Sequence, residues 1–453
     1  MSDHQDGSLK AHDQVLVLSP NDADLWNSKG EALSTAGRLE DALAAYETAL
    51  EIDPKKIVSW QLMGCVLEDL GRFEIALEAY ERILELDPDD ELGLCQKGEV
   101  LQKFGRYEES LVACKRLLTI YPDHPIGLYN KGVALEKLGR RQEAVGTYEG
   151  LLDIEPDEDC GSEEWDYRGL ALQRLGRAAE ALVAHNRALE IDSSTADTWF
   201  HKGEAFRALG NGAEALAAYE QGLTINSCNA DASYKRGLIL HALGRHADAV
   251  AAYDAVLGSE PNHEDACFGR ARALEALRRS EEAVVSYDRV LALNPKSVKA
   301  LQGKGALLLT RGQHSDSERV LEQALCADPE NAFTLALIGI TLYCQDRTQE
   351  ALDSFNDALA INSNTATCWW GRGAALLKLG RVDGAMEAFK RARAMNPRHP
   401  FPRLLRRAAV KNLLEADTEF DVAASVKAFD AAMRDAPAYL WAEDSPSATK
   451  LER

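Results

Sequence analysis

A spacing of 34 residues dominates this sequence of 453 residues. Glycines recur at that interval in two runs: Gly30, Gly64, Gly98 and Gly132, and then Gly169, Gly203 and Gly237. A repeat of this length is one supersecondary unit that cannot bury its apolar face alone, so neighbouring units must stack on each other. The spacing therefore predicts a continuous array rather than a set of unrelated globular domains.

Each unit carries further markers in a fixed order. A second glycine, such as Gly71, follows the first after seven residues, where we expect a helix to end in a left-handed residue. A small residue such as Ala76 and a ring such as Tyr80 follow four residues apart, which places them on one helical face. A proline such as Pro88 then ends a second helix. One unit is predicted to be helix, turn, helix and stop.

The first glycine of each unit interrupts a predicted helix, at a cost of about 1 kcal/mol relative to alanine. Its missing side chain is tolerable where it lets a partner helix approach closely. Replacing Gly98 or Gly132 by leucine is therefore expected to overpack that contact and to cost roughly 1–3 kcal/mol.

This arrangement resembles the tetratricopeptide repeat. The second unit carries the full pattern: Trp60, Gly64, Leu67, Gly71, Ala76, Tyr80 and Pro88. Eleven units begin near Ala23, Ile57, Glu91, Pro125, Ser162, Ala196, Ala230, Glu264, Val298, Ala332 and Ala366. The resemblance implies an all-α fold, namely a right-handed α-α superhelical solenoid of about eleven helix-turn-helix repeats. It also implies that the first helix of each unit lines a concave groove.

We predict three segments from this register. Residues 1–22 form an N-terminal segment with a capping half-repeat helix, and residues 23–399 form the tandem array. A short acidic insertion near residues 157–161 lengthens one unit, and we interpret it as a solvated loop. Residues 400–453 form C-terminal capping helices and a frayed tail, because the end units of a solenoid need an outer face that tolerates water.

The formal net charge of −22 argues against a nucleic-acid partner, whose binding needs lysine and arginine to displace phosphate counterions. It argues equally against an anionic membrane surface and favours a protein partner, especially a basic one. The nine cysteines form no C-x-x-C pair, and the first residues have no signal-peptide pattern, so we expect a cytoplasmic protein.

The sequence carries none of three common catalytic or metal-binding motifs: it has no H-E-x-x-H, no phosphate-binding G-x-x-x-x-G-K-[ST] and no G-x-S-x-G. We therefore predict a protein that is not an enzyme and that has no cofactor or metal. A column of cations precedes the first glycine: Lys29, Lys97, Lys131, Arg168, Lys202, Arg236, Arg270, Lys304 and Arg372. We interpret it as scaffold, with aliphatic stems packed between units and charged heads directed towards carboxylates.

The candidate ligand residues are first-helix positions that the resemblance places in the groove from the fourth unit onward. They are Tyr129, Phe200, Glu204, Arg207, Tyr234, His241, Phe268, Arg272, Phe333, Tyr343 and Trp370. Aromatic anchors combined with arginine are typical of peptide-binding hot spots. Two other interpretations stay open. These side chains could pack helix against helix, or the C-terminal segment containing Tyr439, Leu440 and Trp441 could cover those of the last units.

The sequence thus favours a protein–protein interaction scaffold that binds a peptide or helix of a partner in the concave groove. The alternatives are a solenoid that associates with copies of itself and a non-catalytic subunit of an enzyme complex.

Overall fold

A computed structural model describes residues 17–155 and 160–395, and this part of the chain consists of helices joined by short turns, with no strand. The chain divides into two compact units, which meet in sequence between Leu209 and Gly210. The predicted all-α fold is confirmed. The predicted caps lie largely or wholly outside the described residues, as do positions 156–159 of the acidic insertion.

From Ala23 onward, the described part of the first unit holds eleven helices. The first helices of its repeats are α1 (Ala23–Thr35), α3 (Ile57–Asp69), α5 (Glu91–Lys103), α7 (Pro125–Lys137), α9 (Ser162–Arg174) and α11 (Ala196–Ala208). The second helices are α2 (Leu39–Ile52), α4 (Phe73–Leu86), α6 (Tyr107–Ile120), α8 (Arg141–Asp153) and α10 (Ala178–Ile191).

The second unit also holds eleven described helices. Its second helices are α12 (Gly212–Ile225), α14 (His246–Ser259), α16 (Ser280–Leu293), α18 (His314–Ala327), α20 (Thr348–Ile361) and α22 (Val382–Met395). Its first helices are α13 (Ala230–Ala242), α15 (Glu264–Ala276), α17 (Val298–Thr310), α19 (Ala332–Cys344) and α21 (Ala366–Lys378). Every first helix has 13 residues, so equivalent positions can be counted from its first residue.

Within each unit, a helix packs mainly against the helices that precede and follow it in the chain. First helices of successive repeats also contact each other, as α5 does α7 and as α19 does α21. Such nearest-neighbour packing is how a repeat array buries the faces that a single helix pair leaves open.

The turn inside each repeat has the left-handed residue that the sequence predicts. Gly71 has φ +70°, and eight other glycines at equivalent places have φ between +73° and +78°. Repeats 8 and 10 lack this glycine, yet Arg278 and Asp346 keep the same conformation, with φ 59° and 63°. The turn geometry is thus set by the packing of the two helices, and glycine only makes it less costly.

In most repeats the first glycine packs against the ring of the second helix, which is the close approach that the sequence predicts, although Gly305 packs against Leu321. A Cβ at Gly132 would overlap with the ring of Tyr148, and one at Gly373 would overlap with Phe389. Gly98 differs, because its neighbour is Cys114 and a Cβ there would lie 3.2 Å from the Sγ atom. The ring column is fully buried in most repeats: Tyr46, Tyr80, Tyr219, Tyr253, Tyr287, Phe355 and Phe389.

The cation column stabilises the scaffold, as predicted. Lys97 lies 2.8 Å from Glu81, and Arg270 lies 2.6 Å from Asp254, in both cases pairing a first helix with the helix before it. Other members stack on a tryptophan of their own helix, as Lys202 does over Trp199 at 4.7 Å. These cations are therefore already engaged within the array.

Candidate functional site

A groove of about 860 Å³ opens in the first unit along four consecutive first helices, α5, α7, α9 and α11. The lining side chains come mostly from the fifth, sixth, ninth, twelfth and thirteenth residues of these helices. They include Glu99, Gln102, Lys103, Tyr129, Asn130, Tyr167, Leu170, Gln173, Arg174, His201, Glu204 and Arg207. A volume of this size suits a few side chains of a peptide rather than a folded domain.

One end of the groove is organised around the carboxylate of Glu99. It accepts hydrogen bonds from the Asn130 side chain and from the Tyr167 hydroxyl, both at 3.1 Å. Gln102 donates to the backbone carbonyl of Asn130 at 3.0 Å. Three successive repeats are therefore linked by side chains that also face the groove.

Two tyrosine rings form the wall beside Glu99. The ring centroids of Tyr129 and Tyr167 lie 5.3 Å apart in a tilted arrangement. Burial raises the pKa of the Tyr129 hydroxyl above its ordinary value, so the hydroxyl stays protonated at neutral pH. Arg174 lies next to this hydroxyl and 3.7 Å from Glu136. The wall thus offers aromatic faces with polar groups at their edges, which suits a peptide.

The other end of the groove has a buried acid between two histidines. Asp166 accepts hydrogen bonds from Nδ1 of His185 and Nδ1 of His201, both at 2.7 Å. Gln173 donates to Nε2 of His185 at 2.8 Å and to the backbone carbonyl of His201 at the same distance. His185 is fully buried at the place where most repeats have a tyrosine, whereas His201 faces the groove.

The charge states of this cluster follow from its hydrogen bonds. Burial by itself would raise the pKa of Asp166, but the bonds from His185 and His201 outweigh it and lower the pKa to about 2. Burial lowers the pKa of His185, and its bond to Asp166 offsets that effect only in part. The cluster therefore holds an ionised carboxylate and a neutral His185 at neutral pH.

The predicted ligand residues of the first unit divide into two groups. Tyr129, Glu204 and Arg207 line the groove, and Arg207 lies 2.6 Å from Glu204. Phe200 is instead buried, with 8% of its surface exposed. The sequence reasoning missed Tyr167, Gln173, Arg174 and His201, which lie at the sixth, twelfth and thirteenth positions. The polar residues at those positions in repeats 3 to 6 were the available signal.

In the second unit, four predicted residues are partly accessible. Tyr234 packs 5.0 Å from the ring of His263, and Phe268 packs 5.9 Å from Tyr287. Arg272 lies 3.5 Å from Glu275, whose pKa burial raises to about 7. Burial together with His246 and Arg272 lowers the pKa of His241 to about 4.

The last three predicted residues belong to the C-terminal repeats. Phe333 is half-buried against the apolar cluster of repeats 9 to 11. Tyr343 and Trp370 are members of that cluster, with 2% and 0% of their surface exposed. They present almost no surface to a ligand in this structure, so we leave them out of the groove.

Comparison with known families agrees with this architecture. Family models described as "Tetratricopeptide repeat" match residues 21–89, 62–125, 95–159, 240–307 and 336–400, and one described as "TPR repeat" matches residues 203–244. Together these matches cover more than half of the chain. The chain belongs to the tetratricopeptide repeat family. Arrays of this family are in general non-catalytic scaffolds for protein interaction.

No curated protein matches this tetratricopeptide repeat chain. Among solved structures, a tetratricopeptide repeat protein from Parabacteroides merdae is 21% identical, with 56% of this chain and 97% of that chain covered and a TM-score of 0.45. Human IFIT1, solved as a dimer with PPP-AAAA, is 16% identical, with 79% and 87% covered and a TM-score of 0.48. The Cut9–Hcn1 hetero-tetramer of the APC/C gives 13% identity, 92% and 93% coverage and a TM-score of 0.42.

Two features are absent from the described residues of the repeat array. No described helix is long and apolar enough to cross a membrane. Within the same part of the chain, no group of three or more histidine, cysteine, aspartate or glutamate side chains is placed to hold a metal ion.

Proposed function

We propose that this scaffold binds an extended peptide or a helical segment of a partner protein in the groove formed by α5, α7, α9 and α11. The observation that supports this most is the lining itself: two tyrosine rings with donors and acceptors from four successive repeats. Because these groups recur with the spacing of the repeats, they suit a ligand that runs along the array and contacts each repeat in turn.

The charges in the groove favour a protein over a nucleic acid. Its cations have carboxylates close by: Lys103 lies 2.6 Å from Glu68, and Arg207 lies 2.6 Å from Glu204. A phosphate backbone would have to compete with these carboxylates in a chain of net charge −22. A peptide with both donors and acceptors, and with basic side chains near Glu99 and Glu204, fits better. We propose no nucleic-acid or membrane partner.

A second contact surface is proposed in the second unit at Tyr234, His241, Phe268 and Arg272. Tyr234, His241 and Phe268 are rings that are partly accessible, and Arg272 stands near them with Glu275 at 3.5 Å. Aromatic groups beside arginine are the residue types that dominate protein interfaces.

The thiols of the chain are consistent with a reducing compartment, and we propose a cytoplasmic protein. Cys95, Cys114 and Cys267 are buried thiols within the helices. Burial raises the pKa of Cys114 to about 11, so it stays protonated and unreactive.

The groove can be tested with a displayed peptide library selected on the full chain, followed by affinity measurements on the selected peptides. Tyr129→Ala and Arg207→Ala are expected to weaken binding at least tenfold, because each removes a contact lining the groove. Val112→Ala and Val183→Ala are matched controls, because both valines are about two-thirds exposed on second helices, and they should leave binding unchanged. Equal affinity in the groove variants and the controls would contradict the proposal.

The second surface is tested by replacing Tyr234 and Phe268 together with alanine, which should abolish capture of a partner that uses it while circular dichroism stays unchanged.

Light scattering over a dilution series tests the alternative of self-association. A mass that rises with concentration, and that falls again in Tyr129→Ala, would assign the groove to a second copy instead of a peptide.

A further inference from the structure

The first helices of repeats 9 to 11 differ from those of the groove at two equivalent positions. At their ninth and twelfth residues they carry an apolar stripe: Ala306, Leu309, Ile340, Tyr343, Ala374 and Leu377. In repeats 3, 5 and 6 the same positions line the open groove with Glu99, Gln102, Leu170, Gln173, Glu204 and Arg207. The face that meets a groove in the first unit is therefore apolar in the last three repeats.

This apolar stripe is buried. Ile340, Ala374 and Leu377 are each 1% exposed, and the other three members are at most 7% exposed. In α19, every residue from Thr334 to Tyr343 is buried, so no side of this part of the helix is exposed to solvent. A helix at the surface of an array normally keeps one polar, solvated face. Something covers the face of α19 that stays open in α9 and α11.

The described residues around the stripe belong to its own repeats. The apolar cluster that contains it is formed by side chains between Ala306 and Ala392. These side chains belong to the second helix of the same repeat and to the neighbouring repeats, which every repeat of the array packs against. Among the described residues, this cluster contains no side chain from outside repeats 9 to 11.

We propose that residues 396–453 of the same chain occupy the apolar stripe of repeats 9 to 11. These 58 residues follow directly after Met395, where α22 ends. Because α21 and α22 form a helix hairpin, Met395 lies near the start of α21. Crossing three neighbouring first helices requires roughly 20–30 Å, which a dozen extended residues can span.

The composition of the segment suits this occupant. Val422, Val426, Phe429 and Met433 recur at the spacing of one helical face and give an apolar surface to match the stripe. The segment contains nine basic and nine acidic residues, so it is neutral and the acidic array does not repel it. A second copy would carry a charge of −22 of its own and be repelled. Covalent attachment also gives the segment an effective concentration of the order of millimolar.

The consequence is an internal ligand. It restricts an external peptide to surfaces outside the stripe, and it accounts for the burial of Ile340 and Tyr343 at positions that line the groove in the first unit. This inference does not depend on what binds to the groove of the first unit.

The location of the segment can be tested by photocrosslinking in the full chain. A benzoylphenylalanine replaces Phe420, Phe429 or Trp441 one at a time, which leaves the array unchanged, and the crosslinked peptides are identified by mass spectrometry. At least one position should link to peptides of α17, α19 or α21 within the same molecule. Links only to the exposed side of α22 around Glu387 and Lys390 would assign the segment to the end of the stack and overturn the proposal.

Mixing heavy-isotope and ordinary chains in the same experiment identifies a second copy as the occupant. Links between differently labelled chains would overturn the proposal, as would the absence of any link to the array.

The strength of the contact can be measured with a protease site inserted between Met395 and Asn396 of the full chain. After cleavage, the released segment should co-elute with the array in size-exclusion chromatography. Leu377→Glu should weaken this association at least tenfold, whereas Leu170→Glu, at the ninth position of α9, should leave it intact. Separation of the cleaved segment from the unsubstituted array would overturn the proposal. This outcome requires no substitution of a buried residue, so it cannot be caused by misfolding.

Discussion

The first helices that form the groove in repeats 3 to 6 and the first helices of repeats 9 to 11 have the same backbone arrangement. Their equivalent surfaces differ in polarity and in exposure. In both regions a glycine of the first helix packs against the second helix, and in both the turn residue is left-handed. The regions differ at the ninth and twelfth residues, which are mostly polar and accessible in α5, α9 and α11 but buried and apolar in α19 and α21. The conserved spacing of the repeat markers thus determines the helix packing, whereas the ninth and twelfth residues of each first helix determine the character of the surface.

The largest expected effect separates the two faces directly. Ile340→Glu should lower the free energy of unfolding of its repeat by at least about 3 kcal/mol, because a carboxylate would be buried without a partner. Leu170→Glu, at the same position of α9, should cost clearly less, since Leu170 is only partly buried and borders the open groove. Hydrogen exchange of α19 and α9 measures both local stabilities.

Ile340→Val serves as the control for lost volume and should cost about 1 kcal/mol. If the two glutamate substitutions had equal effects, the two faces would not differ in burial, and the comparison between the regions would be wrong.

The next effect concerns pH and belongs to the groove region alone. Asp166 has a folded pKa of about 2, whereas an unfolded aspartate has about 3.9, so the folded state binds fewer protons between these values. The stability from Asp166 is complete above about pH 5 and decreases as the pH falls towards 2. His185 acts in the same direction below its unfolded pKa of about 6.5, because burial lowers its folded pKa.

Acidification from pH 6 to pH 3 should therefore reduce the local stability of α9 and α10, and Asp166 should lose roughly 1 kcal/mol of a total contribution of roughly 2–3 kcal/mol over this range. Asp166→Asn should lose most of this contribution at pH 6 and show a flatter pH dependence. Hydrogen exchange corrected for intrinsic rates measures the slope, and α19 is the internal reference. An unchanged slope in Asp166→Asn would show that the cluster does not titrate as described.

The third prediction tests what the regions share. Gly132→Ala and Gly373→Ala should each cost roughly 1–3 kcal/mol, because the new Cβ would overlap with Tyr148 or Phe389. Gly98→Ala should be close to neutral, since Cys114 leaves 3.2 Å and alanine favours the helix by about 1 kcal/mol. Thermal unfolding of the three variants compares them. Equal losses would mean that the ring contact does not set the cost.

These differences show which features of the structure could be predicted from the sequence. The period, the turns and the ring contacts could be predicted because eleven copies repeat them, so one exception such as Cys114 does not hide the rule. The open face depends instead on how neighbouring repeats rotate against each other. Tyr129 and Arg207, which were predicted ligand residues, line the groove of the first unit together with Tyr167 and His201, which were not predicted.

The buried faces depend on contacts that differ from one repeat to the next. Tyr343 and Trp370 have the residue types of a binding surface, yet Lys378 of the next repeat lies over the Tyr343 ring and Trp370 packs 5.2 Å from Phe389. His185 was overlooked for a related reason, because its partner Asp166 lies on α9 and also bonds to His201 on α11. Contacts that do not repeat leave no periodic signal.

The smallest expected effect lies in the turn between the helices of repeat 8. Arg278 has φ 59°, a left-handed conformation that costs a residue with a side chain about 1 kcal/mol or more. Arg278→Gly should therefore raise the stability of the turn between α15 and α16 by about 1 kcal/mol. Asp346→Gly should give little net change, because removing the same strain also removes the 2.6 Å contact with Lys378. Hydrogen exchange of the two turns distinguishes these outcomes. A gain at Asp346 as large as at Arg278 would mean that the ion pair contributes nothing, and no gain at either would mean that the packed helices impose the left-handed turn without strain.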